Sequence, residues 1–160
     1  MLLMEYHNPV LLTESVDGLN IQPDGVYVDV TFGGGGHSRE ILSRLGENGR
    51  LIAFDQDKDA IENAIDDLRF LLINENFRFI KRFLRFHGYK EVDGILGDFG
   101  VSSHQFDVAE RGFSTRFEAD LDMRMDQNST FSAYDVINSY EEAELRSVLV
   151  QYGELHAASG

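Results

Sequence analysis

Residues 26–38 leave a chain of this kind few folds to choose from. Val26, Val28 and Val30 alternate with Tyr27 and Asp29, a pattern that predicts a β-strand. The strand runs into Gly33-Gly34-Gly35-Gly36, and then into Ser38-Arg39-Glu40-Ile41-Leu42-Ser43-Arg44-Leu45, which reads as a helix. Strand, glycine loop and helix are the opening of a nucleotide-type binding site. Glycine turns tightly and lets a ligand come close to bare main chain. The free N–H groups and the dipole at the helix start favour an anionic or electron-rich ligand. The same residues also make a plain turn with no ligand, so the loop needs support from elsewhere in the chain.

That support comes from the segments downstream. Leu51-Ile52-Ala53-Phe54 is a short apolar run, read as a buried parallel strand ending in Asp55. Asp57 can cap a helix over 58–72, with Ala60, Ile61, Ala64, Ile65 and Leu68 on one face. A third strand is expected at 77–81 and a fourth at 92–97, ending in Asp98. Upstream, residues 7–12 read as extended around Pro9, and Thr13 as the cap of a short helix to Leu19. This βαβαβ order predicts an α/β, doubly wound, Rossmann-like sheet with its ligand at the carboxyl ends of the strands. Asp29, the glycine loop, Asp55 and Asp98 all fall at such ends. Residues 99–130 show no strand, and 131–152 read as helical, with Ser139 and Glu142 as a capping box. The expected division is 1–104 for the sheet and 105–160 for a partial loop and helical insertion. Four strands followed by helices suggest a sheet that stops short.

Composition narrows the chemistry. The 160 residues include no cysteine, which excludes disulfides and cysteine-ligated zinc. His7, His37, His87, His104 and His156 are scattered and form no metal-binding spacing. No apolar run approaches the ~20 residues a membrane helix needs, and residues 1–7 lack the pattern of a signal peptide. The expectation is a soluble, cytoplasmic protein without metal or membrane. A net charge of −14 works against unaided binding to nucleic acid. Two local clusters run the other way. Arg111, Arg116 and Arg124 form one; Lys81, Arg82, Arg85 and Lys90, interleaved with Phe83 and Phe86, form the second. Interleaved cations and aromatics suit single-stranded RNA, and equally make a solvated face over a core stripe.

Asp55 is placed to accept hydrogen bonds from two ribose hydroxyls. Counted from Gly33, the third glycine position of a G-x-G-x-x-G pattern is Ser38, so the loop suits a ligand lacking pyrophosphate. His37 is either a ligand contact or an ordinary helix-start histidine. Asp98 could hold a cofactor ammonium, accept from an amino group under attack, or simply cap a turn.

Five blocks occur in order: His7-Asn8-Pro9-Val10-Leu11-Leu12, Asp29 to Ser38, Asp98-Phe99-Gly100-Val101-Ser102-Ser103, Glu110-Arg111-Gly112-Phe113-Ser114 and Leu121-Asp122-Met123-Arg124-Met125. Together they resemble the bacterial ribosomal RNA small-subunit methyltransferase H family, over roughly residues 5–153. The resemblance implies S-adenosyl-L-methionine as cofactor and 16S rRNA or the small ribosomal subunit as partner. It implies methylation of a cytidine N4 amino group in the decoding region. It carries a cofactor site over to Gly35, Gly36, His37, Asp55, Asp98 and Gln105, with Asp98 also the candidate catalytic acceptor. The family places a phenylalanine after strand three, for which Phe83 is the nearest candidate. Asp98-Phe99-Gly100 stands where the family has aspartate-leucine-glycine. Family members are about twice as long, so the chain reads as breaking off inside the substrate-recognition insertion. An open sheet edge would then favour association, including a homodimer. Two alternatives stand beside this reading: a shortened, inactive chain that only binds cofactor or a partner, and an NAD-dependent oxidoreductase.

Overall fold

The computed structural model describes residues 9–155, and the chain falls into two compact units, residues 1–100 and 101–160. In the first unit, α1 (Leu12–Gly18) precedes β1 (Val26–Asp29), α2 (Gly36–Arg44) and β2 (Arg50–Phe54). Next come a 3₁₀ helix (Lys58–Asn63), β3 (Phe70–Ile73), a 3₁₀ turn (Phe77–Phe79), α3 (Ile80–Phe86) and β4 (Gly94–Leu96). The strands form one parallel sheet in the order β3-β2-β1-β4. The chain steps outward from β1 to β3, then returns to the other side of β1. That reversal makes the carboxyl ends of β1 and β4 the place where such a sheet opens a crevice.

Alternation along the strands explains the two covered faces. Tyr27, Leu51 and Leu96 pack with Val16 of α1 and with Ile41, Leu42 and Leu45 of the α2 region. Val28, Val30, Ile52, Phe54 and Ile73 face the other way, against Ile80, Phe83 and Leu84 of α3. Tyr27, Val28, Leu51 and Ile52 are at most 1% exposed, as strands buried on both faces require. The sheet is therefore doubly wound, as its sequence pattern predicts.

Four expectations fail in instructive ways. The helix expected over 58–72 stops after one 3₁₀ segment. Its apolar stripe is not a buried face: Ile61 and Leu68 are exposed, while only Ala60 and Ile65 pack inward. Asp67 ends the segment by accepting the backbone N–H of Arg69 at 2.8 Å and its guanidinium at 2.9 and 2.6 Å. Arg69 also donates to the Leu45 carbonyl at 2.7 Å, which anchors the start of β3. Phe70–Ile73 then pairs beside β2, where the ladder satisfies backbone groups on that side. The strand expected at 77–81 is instead the entry to α3. Asn76 accepts the N–H of Arg78 at 2.9 Å as a cap, and Ile80, Phe83 and Leu84 recur at helical spacing. At the amino end, Leu11 lies in the left-handed region (φ 51°) and Leu12 begins α1, so the extended reading fails from residue 10 onward. Thr13 falls inside the helix rather than at its cap. His7, Asn8 and His156 lie outside the described residues.

The second unit contains α4 (Ser103–Asp107), a 3₁₀ turn (Ala109–Arg111), α5 (Ala133–Ser139) and α6 (Glu142–Gly153). Its described residues bury only Gln105 and Arg111. Polar ties hold it instead. Arg111 donates to the carbonyls of Arg124 (2.9 Å) and Met125 (3.3 Å). Arg124 pairs with the Asp122 carboxylate and donates to the Ser129 carbonyl at 2.6 Å. The expected Ser139–Glu142 capping box does not form. Ser132 with Asp135 and Glu141 with Glu144 make the boxes, and the Ser139 hydroxyl donates back to Asp135 O.

Gly112 is the tightest point of this frame. Its φ is 70°, and a Cβ there would stand 2.6 Å from Asp120 O and 2.7 Å from Asp122 N. Strain and overlap with backbone add, so Gly112→Ala should destabilise the second unit by roughly 2–4 kcal/mol. Hydrogen exchange should show the loss between 109 and 139 with the sheet unaffected; equal protection in both proteins would contradict the frame.

Candidate functional site

The site is built at the carboxyl ends of β1, β2 and β4. Strand pairing continues past β1 through Val30 N–H to Leu96 O (2.9 Å) and Phe32 N–H to Phe54 O (3.0 Å). The glycine loop then turns off the sheet, with Gly33 (φ 49°) and Gly35 (φ 76°) in the left-handed region. The glycines do different work. A Cβ on Gly35 would meet the Arg39 guanidinium at 2.7 Å and the Phe32 ring at 2.9 Å, and one on Gly36 would overlap Pro9. These two are small because the protein's own side chains fill the space. Around Gly33 the nearest atom to a Cβ would be Thr31 O at 4.0 Å, so this glycine faces open space.

Asp55 ties the loop to the end of β2. It accepts the Gly33 N–H at 2.7 Å on one oxygen and the Asp57 N–H at 2.8 Å on the other. A carboxylate has about four lone-pair sites, so it can accept from several donors at once. Asp57, as expected, caps the next segment by accepting Asp59 N–H at 3.1 Å.

Asp29 lies beneath the loop at 1% exposure. Ser38 Oγ donates to it at 2.7 Å and Thr31 N–H at 3.0 Å. Burial raises its pKa from the ordinary carboxylate value, against the lowering effect of those hydrogen bonds and of His37. This acid pins strand, loop and helix together and is closed to a ligand. Asp98 is the opposite case: it is exposed, and its own N–H donates to Thr31 Oγ1 at 2.7 Å. Thr31 thereby sets the end of β4 against the end of β1, with Asp98 exposed at that end. Sequence reasoning misses Thr31; a hydroxyl between a strand's last acid and a glycine loop is the available signal. His37 opens α2, is 6% exposed, and has an Nε2 without a hydrogen-bond partner. A buried nitrogen in that condition is one a ligand or ordered water can satisfy.

The MraW methylase family model matches residues 4–159. The chain belongs to that family. It is 71% identical over 158 residues to the ribosomal RNA small subunit methyltransferase H of Christiangramia forsetii, covering 99% of this chain and 52% of that protein. It is 73% identical over 155 residues to the protein of the same name from Flavobacterium johnsoniae, covering 97% and 51%. The Bacteroides thetaiotaomicron protein of that name is 59% identical over 152 residues, covering 95% and 50%. The chain spans about half the length of these relatives.

In this MraW-family chain Phe83 loses the strand that it was placed by. Phe83 is the phenylalanine after strand three only if that strand lies at 77–81. With β3 at Phe70–Ile73, Phe83 lies on α3 against the sheet, its ring edge-on to Phe54 at 6.2 Å. The first phenylalanine after β3 is Phe77. Its ring meets that of Phe99 at 5.5 Å, although β3 and β4 are opposite edges of the sheet, so the pair spans the carboxyl end. Gln105 belongs to the second unit. There its side chain and Ser102 form a reciprocal cap on α4, with distances of 3.0 and 3.2 Å. Arg111, Arg116 and Arg124 are likewise engaged within the second unit, Arg116 with Asp107 at 2.7 Å. Among the described residues, no His, Asp and Glu group could hold a metal ion, and no helix is long and apolar enough to cross a membrane.

Proposed function

We propose that this chain carries the cofactor half of an S-adenosylmethionine-dependent methyltransferase acting on the N4 amino group of a cytidine in the 16S rRNA decoding region. The observation that carries the reading is the Asp55 bridge. One carboxylate holds the glycine loop at the point where a nucleoside ribose would lie. The names of the relatives support the RNA class, and the resemblance of the sequence blocks is the ground for proposing the cytidine N4.

The residues fit such a cofactor. Asp55 would take the ribose hydroxyls, and the open side of Gly33 would admit the ligand against main chain. His37 would offer its unpartnered Nε2, and Phe77 rather than Phe83 would supply the aromatic surface. The cofactor supplies an electrophilic methyl group on a sulfonium centre, with a thioether as leaving group. Asp98, held by its own N–H on Thr31, is the acceptor next to the incoming amine. The cytosine amine is weakly nucleophilic because its lone pair is delocalised into the ring. An ionised carboxylate that accepts its N–H stabilises the positive charge that develops on nitrogen. Much of the rate would come from fixing the reacting pair and excluding water.

Calorimetric titration with S-adenosylhomocysteine, with NADH as control, tests the reading. Saturable binding of the first and none of the second is expected. Binding of NADH alone would revive the oxidoreductase alternative. A second assay, transfer of labelled methyl to small-subunit rRNA, separates an active chain from one that only binds cofactor.

A further inference from the structure

We infer that the exposed face of α3 is a contact surface for the phosphate backbone of the RNA substrate, an inference that rests on the methyltransferase reading. Residues 77–90 carry Arg78, Lys81, Arg82, Arg85 and Lys90 and no acid, in a protein with 14 Lys and Arg against 28 Asp and Glu. This is where a net charge of −14 is locally reversed.

Packing orients the cations. Ile80, Phe83 and Leu84 turn the apolar side of α3 onto the sheet. Lys81, Arg82 and Arg85 therefore point outward, and all three are exposed. Lys81 and Arg85 are one turn apart, about 5–6 Å between their Cβ atoms. Because β3 ends at Ile73, the stretch begins at the carboxyl edge of the sheet, the same edge that holds the glycine loop, and α3 runs back from there.

The cations are also uncommitted. Elsewhere Arg39, Arg44, Arg50, Arg69, Arg111, Arg116 and Arg124 direct their guanidinium groups to carbonyls or carboxylates of the chain. Among the described residues the side chains of Arg78, Lys81, Arg82, Arg85 and Lys90 make no hydrogen bond or ion pair; Arg78 and Arg82 lie over the rings of Phe79 and Phe83. Phe86 stands among them, 81% exposed, with His87 edge-on to it at 5.1 Å. A solvated helix face in an acidic protein would mix signs; this stretch carries cations only, and its Phe86 is among the most exposed aromatics of the described residues. Uncommitted cations around an exposed ring provide what a single-stranded segment needs: charge for phosphates and a platform for an unpaired base.

The test compares wild type, a Lys81→Gln/Arg82→Gln/Arg85→Gln variant, and a Lys58→Gln/Arg146→Gln control that removes cations outside the stretch. Glutamine keeps the helix, so stability should not change. Binding of a fluorescein-labelled RNA stem-loop is followed by anisotropy over a salt series. S-adenosylhomocysteine binding is titrated in parallel. The triple variant should lose tenfold or more in RNA affinity at low salt, and its slope of log K against log salt should fall by about 2. The control should match wild type, and all three should bind S-adenosylhomocysteine alike. Unchanged RNA affinity and slope in the triple variant would overturn the inference. So would absence of RNA binding by wild type, or preference for phosphatidylserine vesicles over RNA. In those cases intact S-adenosylhomocysteine binding leaves the cofactor reading standing; its loss in wild type strikes that reading instead.

Discussion

Asp55→Ala should abolish cofactor binding more completely than any other single change at the crevice. Two effects combine. The Gly33 and Asp57 N–H groups lose their acceptors at 2.7 and 2.8 Å, so the loop is released from the end of β2. The hydrogen bonds expected from the ribose hydroxyls are lost as well. Hydrogen bonds to a charged group contribute about 1.5–3 kcal/mol each, so affinity should fall by about 100-fold or more. Asp55→Asn should not rescue it. An amide offers one acceptor oxygen where the carboxylate uses two, and its NH₂ would face a backbone donor. Asp66→Asn, an exposed acid outside the site, is the matching control and should bind normally. The readout is calorimetric titration with S-adenosylhomocysteine, after circular dichroism has shown the variants folded. A folded Asp55→Ala chain that binds within about threefold of wild type would remove this acid from the site.

Asp29 should dominate stability where Asp55 dominates binding. Asp29→Ala strips the acceptor from the Ser38 hydroxyl and the Thr31 N–H, both beneath the loop and against a buried carboxylate. Buried donors left unpaired cost about 1–3 kcal/mol each, so a loss of about 3–4 kcal/mol is expected, much of a small domain's stability. Asp29→Asn behaves differently. Its oxygen keeps the Thr31 bond, its NH₂ can donate to Ser38 Oγ, and no charge is buried.

The pH dependence has a definite sign. Burial raises the folded-state pKa of Asp29 above its unfolded value. Between the two values the folded chain holds a proton that the unfolded chain has released. The contribution of Asp29 is thus full below the unfolded pKa and is lost as pH rises through the folded pKa. Wild type should lose stability relative to Asp29→Asn as pH rises from the acid side of that window to its alkaline side. Asp67, held down to about 2 chiefly by its Arg69 hydrogen bond, and Asp122 and Asp135, also lowered, act in the opposite direction. They lose stability only as pH falls below about 4, and modestly, since surface pairs are screened. Both proteins share them, so they cancel in the difference. Urea melts of the two proteins at several pH values measure it, and a flat difference would mean that Asp29 bears no burial penalty.

The order of the elements tells which kinds of information a sequence holds. Val26 to Ser38 wrote out β1, the loop and α2 because strand alternation, glycine and the helix stripe are all local. Leu51–Asp55 and Asp98 were legible for the same reason. Residues 58–72 were not: Ala60, Ile61, Ala64, Ile65 and Leu68 have helical spacing. Yet the vacant edge of β2, with the Asp67–Arg69 turn, drew Phe70–Ile73 into the sheet. No window of sequence contains that edge. Phe77-Arg78-Phe79 alternates like a strand, but the face of the sheet favoured the spacing of Ile80, Phe83 and Leu84.

The same division runs through the site. The residue types were visible in the chain: glycines, Asp55 and Asp98 at strand ends, and blocks that resemble a methyltransferase family. Only the tertiary structure decided which acid is sealed and which is open. Asp29 and Asp98 both lie at the ends of apolar strands, and nothing local distinguishes them. Asp29 is closed by Ser38 from the next helix, whereas Asp98 is held through its backbone by Thr31, just past the neighbouring strand, and stays exposed. Tertiary packing also separated the arginines that frame the second unit from the uncommitted cations on α3, because a guanidinium is engaged or free according to which carbonyls the fold brings to it.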